Sequence, residues 1–433
     1  MSIEETNPAV AQPARPGRET VEVVAGARAA GPEDVQHVKV LKVGPADAPR
    51  VLVMLGGREG AAAGFLTLAR ELVSAVPGLE VWAIDRREQN LADLTHYADQ
   101  ANQDSYYLDG RYVRQDGASA PFAASWGLGV LLEDVRSVVL KARDGGRRQV
   151  VLGGHSVGGA AVAHYAAWDF DGQPGHADLA GLMQFDGGVR DAFKGAGMEF
   201  ALNVDAAKAW LGQIEQGAVF ENATSLAVRV GEQPEDAALW YHLAARHALN
   251  DPHGPAVLQP KLPAGYATDG PLTNAGLFGK LVCTEVGHPG YAVQSGRLDA
   301  AGDWADEGPT PLLRVAEAHA GRPSGAFVWY ALNRVMLDYV AGNDFTDNEV
   351  TRLLGLRLFH TADIDVPLYA FGSGLTNGTV ASAAEELGTS TKIPYVRAHT
   401  DVELTHQDLV YAAAEHNTAL STAVAFLKEL FAG

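Results

Sequence analysis

The sequence predicts an α/β fold: a mostly parallel sheet flanked by helices, with a large, mainly helical segment inserted after the sixth strand. Three observations lead there. Val51–Leu55, Val81–Ile84, Gln149–Leu152 and Leu179–Phe185 are short runs with the apolar character of strands buried on both faces. Helical periodicity fills the intervals between them. The rhythm then stops near Val189 and resumes at Val366.

Taken in order, residues 1–19 are rich in Pro, Ala, Glu and Arg and read as a disordered lead-in. Thr20–Val24 and Val35–Val43 alternate β-formers with polar residues, as an antiparallel pair at a sheet edge does. Val51–Leu55 ends in Gly56-Gly57-Arg58-Glu59-Gly60. Phe65–Val76 follows with helical spacing until Pro77-Gly78, and Val81–Ile84 runs into Asp85-Arg86-Arg87. Strand, glycine turn, helix and strand make a βαβ unit, hence a right-handed crossover and parallel pairing. The polar stretch from Glu88 to about Ala124 is too long for a simple connector and is expected to line a site or cover an edge. A helix over Val130–Arg143 leads through Gln149–Leu152 into a glycine-rich turn and the Ala-rich helix Ala160–Trp168. Leu179–Phe185 ends at Asp186-Gly187-Gly188.

Residues 20–188 therefore form the first part of a core, 189–362 a mostly helical cap, and 363–433 the second part of the core. Within the cap, helices are expected over Val204–Ile214, Pro234–Leu249, Pro311–His319, Ala326–Val340 and Asn348–Leu356. Trp210, Trp240, Trp304 and Trp329 fall there, four of the seven tryptophans; each single one is expected to pack the interior of the cap. The returning core has strands Val366–Phe371 and Ile393–Val396 around a helix over Val380–Leu387, and a closing helix over Ala419–Phe431.

Composition narrows the function. Thirty-three Lys and Arg against 53 Asp and Glu give a formal charge of −20. Nucleic-acid binding needs clustered cations, so it is not expected. Cys283 is the single cysteine, which excludes an intrachain disulfide and a zinc site built on several cysteines. The first residues lack the basic and apolar regions of a signal peptide, and no run approaches 18 apolar residues. Cytoplasmic residence without a membrane span is the expectation.

The chemistry concentrates at Gly154-His155-Ser156-Val157-Gly158, a Gly-x-Ser-x-Gly turn between strand and helix. A serine there has its hydroxyl exposed, glycines let neighbouring backbone pass closely, and the helix start offers free N–H groups to a developing oxyanion. Such a serine is a poor nucleophile without a base, and the base needs a carboxylate to hold its tautomer. Elsewhere, His242 and His247 do not form the His-Glu-x-x-His pair of a metalloprotease. Gly372–Gly378 does not match a dinucleotide loop, and no Walker-type Gly-Lys-Ser/Thr occurs. No cofactor or metal is implied.

A parallel α/β sheet with Gly-His-Ser-Val-Gly after its fifth strand resembles the α/β-hydrolase superfamily, in its serine esterase and lipase branches. The resemblance covers about 20–188 and 363–433. It makes Ser156 the nucleophile and His406, within Thr405-His406-Gln407-Asp408, the base; His399 is the rival, too close to a strand end. Leu55-Gly56-Gly57-Arg58 stands at the oxyanion turn, departing from the family's His-Gly at its first residue, where Gly replaces the usual His. By position the resemblance makes the backbone N–H of Arg58 one oxyanion donor, and that of Val157, the residue after the nucleophile, the other. No carboxylate follows the seventh strand, and Asp186, at the end of the sixth, is the expected acid. Asp363 and Asp365 precede the seventh strand, while Asp401 and Asp408 flank the histidine. His155 is expected to pack behind the nucleophile.

The resemblance implies hydrolysis of a carboxylic ester through an acyl-enzyme on Ser156, with a small-molecule substrate that is bulky or apolar. A serine rather than aspartate nucleophile argues against the haloalkane dehalogenase and epoxide hydrolase branches. Lactone, amide or carbon–carbon bond cleavage and acyl transfer are alternatives on the same fold. A non-catalytic binding protein is the alternative of another class.

Overall fold

A computed structural model describes residues 18–99, 101–222, 230–263, 266, 270–283 and 288–432. Most of the predicted lead-in lies outside these residues, and Glu19 already belongs to the first strand. The main sheet has eight strands: β1 Glu19–Ala25, β2 His37–Val43, β3 Arg50–Leu55, β4 Leu79–Asp85, β5 Gln149–His155, β6 Gly181–Phe185, β7 Leu368–Gly372 and β8 Val396–Thr400. Their spatial order is β1-β2-β4-β3-β5-β6-β7-β8. β2 runs antiparallel to β1 and β4, and every other pairing is parallel. β4 is buried along its whole length, and β3 from Val51 to Leu55, as two-sided apolar strands must be.

The chain steps from β3 to β4 in one direction across the sheet and from β4 back past β3 to β5 in the other. Right-handed crossovers then put helix α1 (Leu66–Ala75) and helix α3 (Leu128–Arg143) on opposite faces. α4 (Val157–Ala167) packs with α3, and the closing helix (Thr418–Ala432) packs with α1. β3 and β5 are neighbours whose following helices go opposite ways, so a crevice opens between their C-terminal ends. The register brings Leu55 beside Gly154, His155 beside Phe185, and Phe185 beside Phe371. The turns after β3, β5, β6 and β7 thus share one edge.

The predicted loop after β4 is partly helical, with α2 at Gln103–Leu108. It packs on the inserted segment: Tyr97, Tyr107 and Tyr112 are buried around Trp329. Between β6 and β7 lie α5 (Val204–Glu215), α6 (Asp236–Asn250), α7 (Asn274–Cys283), α8 (Leu312–His319), α9 (Asn333–Gly342) and α10 (Glu349–Leu354), with a small hairpin, Gly296–Leu298 with Trp304–Asp306. This segment grips both helical layers. α8 packs on α1, and α9 packs on α3 and α4. The buried Asp338 of α9 accepts the Leu128 N–H at the start of α3, 2.8 Å away, so the insertion caps a core helix.

Two predicted elements are displaced. The helix expected over Ala326–Val340 starts only at Asn333. Ala326–Leu332 is extended because its backbone pairs with other chain segments: Ala61 N–H donates to Ala326 O, Val328 N–H donates to Glu59 O, and Leu332 bridges Phe220. The last strand is Val396–Thr400 rather than Ile393–Val396. No described helix is long and apolar enough to cross a membrane.

Candidate active site

The turn after β5 carries Ser156 at φ 59°, ψ −133°. A side chain at positive φ is held there only by surrounding structure. Close backbone approach supplies that hold: a Cβ on Gly154 would strike the Gly158 carbonyl, and one on Gly158 the carbonyls of Leu55 and Gly56. The β3 turn comes just as near. A Cβ on Gly57 would sit 2.5 Å from Ser156 Cβ and 3.1 Å from its Oγ.

His406 and Asp186 meet at this edge. His406 Nδ1 donates to Asp186 Oδ2 at 2.6 Å, and both side chains are almost wholly buried. With its proton on Nδ1, the neutral ring leaves Nε2 as an acceptor. Asp186 also receives the Ser373 N–H at 2.7 Å, the Ser373 hydroxyl at 2.5 Å and the Thr376 hydroxyl at 2.6 Å. Burial opposes ionisation of this carboxyl, but the donors from His406 and Ser373 outweigh it and hold it below the usual carboxylate range. The turn after β7 therefore supplies no acid but supplies hydroxyl partners for the acid on β6. Ser373 and Thr376 were not anticipated from the sequence. The absence of a carboxylate after β7, with hydroxyls standing in its place, was the available signal.

The other carboxylates are engaged elsewhere. Asp408 accepts from Thr310, Thr405 and Gln294, tying the His406 loop to the insertion. Asp401 accepts from Thr418. Asp365 pairs with His176, and Asp363 with Lys392. His399 lies inside β8 near Tyr369. His155 packs against His406, ring centroids 4.2 Å apart, and donates from Nε2 to the His406 carbonyl at 2.9 Å. Burial and the neighbouring His406 push His155 down to about 3, so it stays neutral.

A pocket of about 140 Å³ opens on Ser156 and His406. Arg58 and Val157 both line it. Val157 opens α4, so its N–H has no acceptor within the helix. The Arg58 side chain turns to Glu221, with bidentate contacts of 2.5 and 2.6 Å. The insertion contributes Phe193, Met198, Phe200, Tyr291, Phe327 and Met336 to the wall. The four tryptophans of the insertion are not among the residues that line it; Trp240 and Trp329 are buried and Trp210 and Trp304 half-buried. Among the described residues, no group of three or more His, Cys, Asp or Glu is arranged to hold a metal ion.

The chain has the α/β-hydrolase fold. A protein from Sulfolobus solfataricus described as a "putative lipase" superposes with a TM-score of 0.53 at 15% identity, over 95% of this chain and 94% of the other. A soluble variant of Saccharomyces cerevisiae monoglyceride lipase bound to a substrate analogue is 13% identical, over 98% and 97% of the two chains, with a TM-score of 0.44. Epoxide hydrolase A from Mycobacterium thermoresistibile is 15% identical, over 96% and 99%, with a TM-score of 0.45. No protein-family model and no curated protein matches the chain.

Proposed function

We propose that this protein is a serine hydrolase that cleaves a carboxylic ester through an acyl-enzyme on Ser156. The observation that carries the reading is the 2.6 Å contact between His406 and Asp186 beside a strained serine that opens on the same pocket. His406 Nε2 takes the Ser156 proton as Oγ attacks the acyl carbon, and Asp186 stabilises the imidazolium that forms. The N–H groups of Arg58 and Val157 receive the oxyanion. His406 then passes its proton to the departing alcohol, and water repeats the sequence to release the acid.

In this reading residues 189–362 act as the cap. Phe193, Phe200, Phe327, Met198 and Met336 make the wall apolar, which favours a bulky or aliphatic acyl or alcohol group. The test is fluorophosphonate labelling with ester turnover. Wild type should be labelled on Ser156 and should turn over short-chain nitrophenyl esters. Ser156→Ala should lose both, and retention of turnover in that variant would overturn the reading.

A further inference from the structure

Arg86 follows β4 and is buried against the turn after β3. Its Nη1 donates to the Gly57 carbonyl at 2.5 Å and lies 3.4 Å from the Gly56 carbonyl; Nη2 donates to the Arg58 carbonyl at 2.8 Å. One guanidinium thus faces three consecutive carbonyls of the oxyanion turn. Nε is occupied by Glu88 at 2.5 Å, and this buried partner balances the charge.

We infer that Arg86 is the positioning residue of the oxyanion site, an inference that rests on the serine-hydrolase reading. The reason is peptide geometry. In a trans peptide the C=O and N–H of one unit point opposite ways. The carbonyl of Gly57 shares its peptide with the N–H of Arg58. Drawing that carbonyl onto Arg86 aims the Arg58 N–H away from Arg86, across the turn. The opposite side of this turn faces Ser156, where Gly57 lies too close to admit a Cβ. The cation behind the carbonyl also polarises the peptide and strengthens its N–H as a donor. A glycine-rich turn has many accessible conformations; the Gly60 N–H donates to the same Gly57 carbonyl at 3.2 Å, and Arg86 adds the shorter contact that holds the conformation presenting the donor. Lysine can keep the charge and the contact with Glu88, but its single ammonium cannot match the planar fork.

The experiment compares wild type, Arg86→Lys and the double variant Arg86→Gln/Glu88→Gln, which leaves no unpaired buried charge. Active sites are counted by endpoint fluorophosphonate labelling, and kcat is expressed per labelled site. Losing one oxyanion donor outright costs about 10²- to 10³-fold in kcat, so a misaimed donor should cost about 10- to 100-fold. KM should stay within about threefold, since ground-state binding does not use the donor. Affinity for a trifluoromethyl ketone, whose adduct with Ser156 carries the oxyanion, should fall in parallel with kcat. A merely structural role would lower the number of labelled sites and leave kcat per site and inhibitor affinity unchanged; that result, in whichever variant folds, overturns the inference. If wild type itself neither labels nor turns over, the hydrolase reading has failed, and the inference with it.

Discussion

The Nδ1 of His406 lies 2.6 Å from Oδ2 of Asp186, although 220 positions separate the two residues in the chain. The contact joins the turn after β6 to the loop after β8, and the turn after β7, between them, contributes Ser373 and Thr376 to the same carboxylate. A carboxylate with this many donors is oriented as well as ionised.

Asp186→Asn keeps the shape but favours the wrong imidazole tautomer. Turnover at neutral pH should fall about 10²- to 10⁴-fold, with a much smaller change in KM. Asp401→Asn should stay near wild type, because Asp401 is bonded to Thr418 and not to His406. Asp408→Asn should act on folding, lowering stability by about 1–3 kcal/mol, because it disturbs a buried anchor of the His406 loop. Steady-state kinetics and urea denaturation separate the two effects.

Acid stability should report the partners of Asp186. Its carboxyl ionises below the ordinary value of 3.8 in the folded protein. The stabilisation is therefore present above about pH 4 and lost as the pH falls through the folded-state value. Ser373→Ala removes one donor, so the acid unfolding midpoint should move to higher pH, with about 1–3 kcal/mol lost at neutral pH. An unchanged midpoint would mean that the hydroxyl does not hold the ionised form.

Asp85 should behave in the opposite sense. Burial pushes its carboxyl up to about 6, with the Ser324 hydroxyl and the Ala62 N–H only partly opposing. The folded state holds this proton more tightly than the unfolded chain, so the stability it provides is full below about pH 4 and is lost as the pH rises through about 6. In Asp85→Asn the stability difference between pH 4 and pH 7 should shrink, by on the order of 2 kcal/mol, as measured by chemical denaturation.

Much of the core was legible because its signals are local. The apolar runs of β3 and β4 and the glycine-flanked Ser156 need no distant partner to be recognised. What escaped depends on distant partners. Ala326–Leu332 has helical spacing on paper, yet its backbone pairs with the β3 turn and with Phe220, and that pairing overrides the pattern. Arg86 reads as a charge at a strand end; only the fold puts the Gly57 carbonyl against it. Which aromatics line the pocket was not legible for a related reason. Large tryptophans bury the most area and were drawn into packing, as Trp329 is among Tyr97, Tyr107 and Tyr112. The smaller phenylalanines were left to line the cavity.

That division makes its own prediction. Phe193→Ala, Phe200→Ala and Phe327→Ala should change the ratio of rates on long and short acyl esters, each by about 3- to 30-fold, since a lost apolar contact is worth about 1–2 kcal/mol. Trp329→Ala should leave that ratio unchanged and cost about 3–5 kcal/mol of stability. A chain-length panel run on all four variants, beside their melting curves, checks both halves.

The most direct test of the account is the mass of the intact protein, quenched in acid milliseconds after mixing with a slowly deacylating nitrophenyl ester. The account predicts an added acyl group on the peptide that contains Ser156, formed with one equivalent of nitrophenol and absent from Ser156→Ala. Continued ester hydrolysis with no added mass, or an acyl group on any other residue, would contradict it.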